Sequence, residues 1–168
     1  MLLIVPGVLA ADTTGTGTAI VSGNPDATLT FTVTGEWSLG DMSVGSTDNT
    51  GNTVSTDITS NMPWSITIHD GLTDSKPEGT EGKMTAWNGT TNAYVAGGNV
   101  LATAMKVKGS GSYADLTGAA TPVELFTGLT AGSFTNAPQF EQTVIIADQR
   151  LVNDDFYRMV VTLDAVQT

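Results

Sequence analysis

The sequence predicts an all-β fold: a single β-sandwich or jelly-roll domain of about seven to nine strands, with an extended apolar segment at its N-terminus. Three observations lead to this prediction. The 168 residues include only 6 Lys and Arg, so the charged faces that surface helices usually carry are lacking. Threonine-rich segments alternate apolar and polar residues, as half-buried strands do. Clusters of Gly, Asn, Asp and Pro separate these segments, which is typical of turns.

Two segments show the strand alternation most clearly, at residues 27–34 and 62–68. Each places apolar side chains on one face, and we expect that face to be buried. These apolar residues are Leu29, Phe31 and Val33 in the first segment, and Met62, Trp64, Ile66 and Ile68 in the second. Trp64 is therefore expected in the core. Further strands are predicted at 99–108, 122–127, 139–147 and 156–166, with turn-rich segments at 43–52, 70–82 and 109–118.

The chain divides at residue 22 into an N-terminal apolar segment with its linker, residues 1–22, and the β-sandwich domain, residues 23–168. The apolar run ends in small residues, as a secretory signal peptide does, which predicts an extracellular or cell-surface protein. It is about nine residues long, short of the roughly 20 that a transmembrane helix needs. No cationic residue precedes it, which is unusual for a signal peptide.

Two interpretations of the N-terminal segment stay open. It is either a leader that is removed, or a retained strand that completes the sheet of a neighbouring copy by β-strand addition. About nine extended residues would span about 30 Å, the length of a long strand. The residues of this candidate donor strand are Leu2, Leu3, Ile4, Val5, Val8, Leu9, Ile20 and Val21.

The charge of the chain restricts its partners. The formal net charge is −11, and no Lys or Arg occurs before Lys76. Nucleic-acid binding depends on clustered cations, so we expect no nucleic-acid partner. The same argument, with the short apolar run, predicts no lipid membrane as a partner of the mature protein. The absence of cysteine excludes disulfides and thiolate chemistry.

The residues that could carry catalysis are scattered. His69 is the only histidine, and no nucleophile motif accompanies it. A glycosidase needs two carboxylates facing one cleft, whereas Glu36, Glu124 and Glu141 lie far apart in the sequence. We therefore expect that the protein is not an enzyme.

Three weaker patterns concern binding and modification. Residues 48–52 and 148–155 supply oxygen ligands for calcium, but neither has the EF-hand pattern, so no cofactor is expected. Trp37 and Trp87 stand next to turns and could form a carbohydrate platform, although packing at a sheet edge explains them more simply. Asn88 begins an N-x-[ST] sequence and is a candidate glycosylation site.

Four segments of the chain resemble the secreted β-sandwich surface proteins of archaea, methanogens in particular. They are TLTFTVTGEWSLG, SNMPWSITIHD, GKMTAW and FYRMVVTLDA, and the likeness covers most of residues 27–166 without a diagnostic motif. Such domains distantly resemble the subunits of archaeal bundling pili and the bacterial biofilm fibre protein TasA, in which an N-terminal strand completes the next subunit's sheet. The resemblance implies a subunit of a filament, sheath or surface layer, with copies of itself as partners.

The sequence alone therefore leaves two functions open. The first is a structural subunit that polymerises through its N-terminal segment. The second is a monomeric β-sandwich module, displayed on a surface, that binds carbohydrate or calcium.

Overall fold

The structure, a computed structural model, describes residues 22–48, 54–71, 75–152 and 155–168. Within these ranges the chain forms thirteen strands and no helix, and every strand pair is antiparallel. The all-β prediction is confirmed. Nine of the strands have four or more residues. None of the described residues belongs to a helix that could cross a membrane.

The strands form four small sheets, with the orders β1-β3-β10, β2-β11-β7-β8, β12-β5-β6 and β13-β4-β9. Their bounds are β1 Leu29–Thr34, β2 Thr47–Asp48, β3 Ser55–Ser60, β4 Trp64–Asp70, β5 Thr85–Asn88, β6 Ala93–Tyr94, β7 Lys106–Lys108, β8 Ala114–Asp115, β9 Val123–Gly128, β10 Gly132–Asn136, β11 Gln139–Thr143, β12 Asp155–Arg158 and β13 Val161–Gln167.

Two of the sheets pack face to face around an apolar core. Ile58 of β3 and Trp64 and Ile66 of β4 are 1%, 3% and 0% exposed, so Trp64 is a core residue as predicted. Half-buried residues of both sheets complete the cluster: Phe31, Phe126, Phe134, Leu163 and Ala165. Because the cluster draws on both sheets, they form the two layers of a sandwich.

A second core lies between the β13-β4-β9 sheet and the β2-β11-β7-β8 sheet. Its buried members are Leu39, Val54, Ile68, Met105, Val107, Leu116, Leu125 and Phe140. Phe126 and Leu163 pack against both cores, which joins them into one apolar interior.

Some predicted strands differ from the observed ones. The predicted strand 156–166 is divided, because β12 pairs with β5 and β13 pairs with β4, and residues 159–160 cross between the two sheets. Only the last three residues of 99–108 form a strand, and the strand predicted at 139–147 ends at Thr143. Met62 precedes β4 and is 41% exposed, so it does not share the buried face of Trp64.

The apolar face of β1 is less covered than its sequence predicts. Phe31 packs into the sandwich core, but Leu29 and Val33, on the same face, are 36% and 41% exposed. β1 is the outermost strand of its sheet and pairs with β3 within the described part of the chain. The part of the sandwich that the structure describes is therefore incompletely closed beside β1.

Candidate functional site

A large cleft opens where the sheets of the two cores meet. It consists of two adjoining cavities of about 740 and 590 Å³, whose walls share Gly40, Met42, Phe156 and Tyr157. We call this space the edge cleft. Each cavity has the volume of an ordinary ligand pocket, about 300–1,000 Å³.

The walls of the edge cleft combine apolar and polar surface, and the apolar side chains lie mainly in the larger cavity. They include Val33, Trp37, Met84, Phe140, Val161 and Leu163. The Trp37 and Phe140 rings pack with centroids 5.4 Å apart, which fixes the deep wall. At the mouth, Phe156 and Val44 are 50% and 54% exposed. Apolar side chains therefore continue from the floor of the cleft to its rim.

Three edge strands border the cleft: β1, β12 and β13. Among the described residues, each is the outermost strand of its own sheet. An edge strand presents backbone N–H and C=O groups that can pair with another chain. The cleft thus combines an apolar floor with backbone hydrogen-bonding groups, the two features that strand addition uses.

One polar atom of the wall has no partner within the described residues. Trp37 Nε1 is buried and makes no hydrogen bond there, and leaving a buried donor unsatisfied costs about 1–3 kcal/mol.

The far side of the cleft is held by a hydrogen-bonded loop. Asp148 Oδ1 accepts from the Ala102 N–H, and its Oδ2 accepts from the Ile145 N–H, both at 2.8 Å. The Tyr157 hydroxyl donates to the Gln149 carbonyl at 2.7 Å. Burial, and secondarily the charge of Asp148, raises the pKa of the Tyr157 phenol above its ordinary value of 10.0. This wall is therefore ordered by its own contacts.

The chain enters the domain at the other end of β1 from the cleft. The Asn61 side chain makes two hydrogen bonds to the backbone that leads into β1. Its Nδ2 donates to the Asp26 carbonyl at 2.7 Å, and its Oδ1 accepts from the Thr28 N–H at 2.8 Å. Gln167 Nε2 donates to the Thr28 carbonyl at 2.6 Å. A six-residue strand spans about 20 Å, so the entry point and the cleft lie near opposite ends of the sandwich.

The predicted donor-strand residues, Leu2, Leu3, Ile4, Val5, Val8, Leu9, Ile20 and Val21, lie outside the described residues. The donor-strand hypothesis therefore stays a prediction.

The two tryptophans considered for carbohydrate binding pack against neighbouring side chains. Trp87 is 7% exposed, its ring meets Tyr94 edge-on with centroids 5.0 Å apart, and the Arg158 guanidinium stacks over it at 3.9 Å. Trp37 packs against Phe140. A sugar-binding platform needs an open ring face, and the face of Trp87 is covered.

His69 lies at the outer face of its sheet. Its Nε2 is 3.3 Å from Asp164 Oδ2, and its Nδ1 is 2.9 Å from the Asp70 carbonyl. His69 and Asp164 occupy neighbouring positions on β4 and β13, away from the Ile66 and Ile68 face. The histidine therefore lies on the face of β4 opposite to Ile66 and Ile68.

Carboxylate oxygens of the predicted calcium segments accept hydrogen bonds from other groups of the protein. Both Asp148 oxygens accept backbone N–H groups, and Asp155 Oδ1 accepts from Asn88 Nδ2 at 2.6 Å. Residues 49–53 and 154 are outside the described ranges. Within those ranges no three metal-ligating side chains converge.

Asn88, the candidate glycosylation site, stands at the end of β5 and is half-buried. Its Oδ1 accepts from the Thr90 and Thr91 N–H groups at 3.0 and 2.7 Å. Its Nδ2, the atom that a glycan would modify, donates to Asp155. Its side chain therefore organises the turn that follows β5.

Sequence reasoning missed one further feature, a buried pair formed by Asp70 and Lys76. Both belong to the segment 70–82, which its Gly, Pro and Asp content marked only as a turn. No local pattern signals the pair, because the burial of Lys76 depends on strands distant in sequence.

Comparison of the chain with protein-family models, curated proteins and solved structures finds no match. The likeness to archaeal surface proteins therefore rests only on the four segments quoted above.

Proposed function

We propose that this protein is an extracellular structural subunit that polymerises by β-strand addition. The N-terminal apolar segment of one copy enters the edge cleft of the next. The observation that carries the proposal is the convergence of three edge strands on one open cleft with apolar side chains in its floor. The assembly is a filament, sheath or surface layer of identical subunits.

The chemistry of the cleft matches that of the proposed donor. Successive side chains of a strand point to opposite faces, so one set of the donor residues, either Leu2, Ile4 and Val8 or Leu3, Val5 and Leu9, would face the cleft. The floor is formed by Val33, Trp37 and Leu163. Each buried aliphatic side chain contributes about 1.5–3 kcal/mol. The donor backbone would pair with an edge strand.

The positions of donor and acceptor favour an open chain of subunits. The N-terminal segment joins the domain near Asn61 and Gln167, whereas the cleft begins at Val33, at the other end of β1. A contact between two different surfaces of identical subunits generates a filament unless its rotation closes a ring. Donor and acceptor at opposite ends provide such a head-to-tail contact.

Electron microscopy and size-exclusion chromatography of matched variants test this function. We expect the full chain to polymerise, and deletion of residues 2–9 to leave a folded monomer. Phe156→Asp, at the mouth of the cleft, should also block polymerisation, because the 50% exposed ring can change without loss of the core. Leu129→Asp is the control, since Leu129 is 86% exposed, lies in the β9–β10 turn and does not line the cleft.

Three results would contradict the proposal. They are native protein that lacks residues 1–11 and stays monomeric, filaments that persist after deletion of residues 2–9, and a monomer whose own residues 2–9 are protected from proteolysis. The last result would indicate that the segment fills the cleft of its own chain.

A further inference from the structure

A lysine and an aspartate are buried together at the end of β4. The side chains of Lys76 and Asp70 are 1% and 0% exposed, and Lys76 Nζ contacts Asp70 Oδ2. Lysine is almost never fully buried, and removing two charges from water costs several kcal/mol per ion. Neither residue lines the edge cleft, so subunit assembly does not explain the pair.

The backbone holds Asp70 from two sides. Its own N–H donates to the Thr117 carbonyl at 2.8 Å, and the Gly71 N–H donates to the Val160 carbonyl at 3.0 Å. These bonds fix the end of β4 between two other segments. The carboxylate is thus presented in a constant position, closed to solvent.

The loop that carries Lys76 folds back onto the same carboxylate. The Gly82 N–H donates to Asp70 Oδ2 at 2.8 Å. Gly82 has a φ of +73°, and a Cβ there would lie 2.0 Å from the Leu116 carbonyl oxygen, so this close approach requires glycine. One carboxylate oxygen therefore meets both the lysine amine and a backbone donor.

This arrangement has the parts that amide formation requires. An amine attacks in its neutral form, and burial lowers the pKa of Lys76, while the charges of Asp70 and Glu81 act in the opposite direction. The Gly82 N–H can stabilise negative charge that develops on Oδ2 when the carboxyl carbon becomes tetrahedral. Contact between the two groups supplies a high effective concentration.

We propose that Lys76 and Asp70 form an intramolecular isopeptide bond. One ammonium proton passes to the carboxylate, the lysine Nζ bonds to the aspartate Cγ, and one Cγ–O bond breaks. The departing oxygen leaves as water with two of the three ammonium protons, and the third stays on the amide nitrogen. The step balances within the pair, without an oxidant, a reductant or another reactant.

The product explains the burial of both groups. A neutral amide replaces two desolvated charges, so the cost of keeping an ion pair away from water is removed. The bond also ties the end of β4 to the loop that contains Lys76. In a chain without cysteine, it is a covalent constraint of the kind that a disulfide would provide, and it is insensitive to reduction.

Peptide mass spectrometry of the purified full-length chain tests the bond. Glutamyl endopeptidase cleavage of the denatured chain after Glu36 and Glu78 gives peptide 37–78, which contains both residues. We expect this peptide to be lighter than its sequence mass by one water, about 18 Da, with no fragment ions from breaks between residues 70 and 76. An unmodified wild-type peptide after prolonged incubation of the folded protein would overturn the proposal.

Two variants separate the isopeptide bond from a succinimide at Asp70-Gly71, which also loses water. Lys76→Arg keeps a cation but removes the amine, so we expect the mass decrease to disappear. Lys83→Arg, at the next lysine, should leave it unchanged. A decrease that persists in Lys76→Arg, or that hydroxylamine converts to chain cleavage, identifies the succinimide and overturns the proposal. The wild-type peptide decides the question even if a variant does not fold.

Discussion

Gly128 makes the closest approach to the central tryptophan of the sandwich core, and replacing it with alanine gives a measurable test. Gly128 of β9 pairs with Trp64 of β4. A Cβ at this position would lie 2.2 Å from Trp64 Cε2 and 2.3 Å from Nε1, where ordinary contacts are 3.4–4 Å. The ring would have to move by 3.4 − 2.2 = 1.2 Å or more. Trp64 is 3% exposed and packs against Phe134, with ring centroids 5.4 Å apart.

Because the ring has little space to move, Gly128→Ala should destabilise the fold by about 1–3 kcal/mol. For a chain of this length the loss corresponds to a decrease in Tm of about 2–12 °C. Chemical and thermal unfolding followed by circular dichroism measure it. Gly111→Ala is the matched control, since a Cβ there has no atom within 4 Å, and its effect should stay within about 0.5 kcal/mol.

A double-mutant cycle with Trp64→Phe identifies the cause of the loss. The smaller ring leaves room for the new methyl group, so Gly128→Ala should cost at least about 0.5 kcal/mol less in that background. Wild-type stability for Gly128→Ala, or an equal loss with either ring, would refute the argument from the Trp64 contact.

Two further predictions concern the wall of the edge cleft. In the folded state the pKa of Tyr157 is raised above 10.0. At a pH above 10.0 the native state therefore keeps a proton that the unfolded state loses. The free energy of unfolding should fall as the pH rises through this range. Tyr157→Phe should lessen that fall in unfolding measured across the alkaline range, and an unchanged pH slope would contradict the shift. Asp148→Ala removes the acceptor of two backbone N–H groups and should cost about 1–3 kcal/mol in chemical unfolding. Asp115→Ala, at an exposed position, is its control, and equal losses would argue against a specific role for Asp148.

The strands that sequence predicts well are those whose buried face is made of large apolar residues. β4 is an example, because Trp64, Ile66 and Ile68 are all buried and alternate with polar residues. β3 has one such residue, Ile58, and its sequence did not reveal a strand. Its other inward positions are Thr56 and Ser60, which are 0% and 3% exposed.

Hydrogen bonds explain why β3 can bury hydroxyl groups. Thr56 Oγ1 donates to the Asn136 carbonyl at 3.3 Å, and Ser60 Oγ donates to the Met62 carbonyl at 2.7 Å. A satisfied hydroxyl is tolerated in a core. A pattern search that counts only apolar residues cannot see this alternation.

The edge cleft and the buried pair were beyond sequence reasoning for a different reason. The cleft depends on which strands lie at the edges of sheets, and the pair depends on contacts of Asp70 with segments as distant as Thr117. The division of 156–166 between β12 and β13 shows the difficulty, since its apolar period runs through the break without interruption. The all-β class follows from composition and period, whereas the pairing of small sheets does not.

The edge cleft is also unusual in the side chains that give it shape. Four of the six methionines in the chain line it: Met42, Met84, Met105 and Met159. Methionine is unbranched and polarizable and fits irregular partners. Under the proposed function, the acceptor can therefore adjust to a donor whose apolar run is interrupted by Pro6 and Gly7. The same sulfur atoms make the contact sensitive to oxidants, because methionine sulfoxide is polar and disrupts apolar interfaces. Peroxide treatment would then weaken the junction between subunits. Because the chain has no cysteine, no thiol of its own would consume the oxidant first.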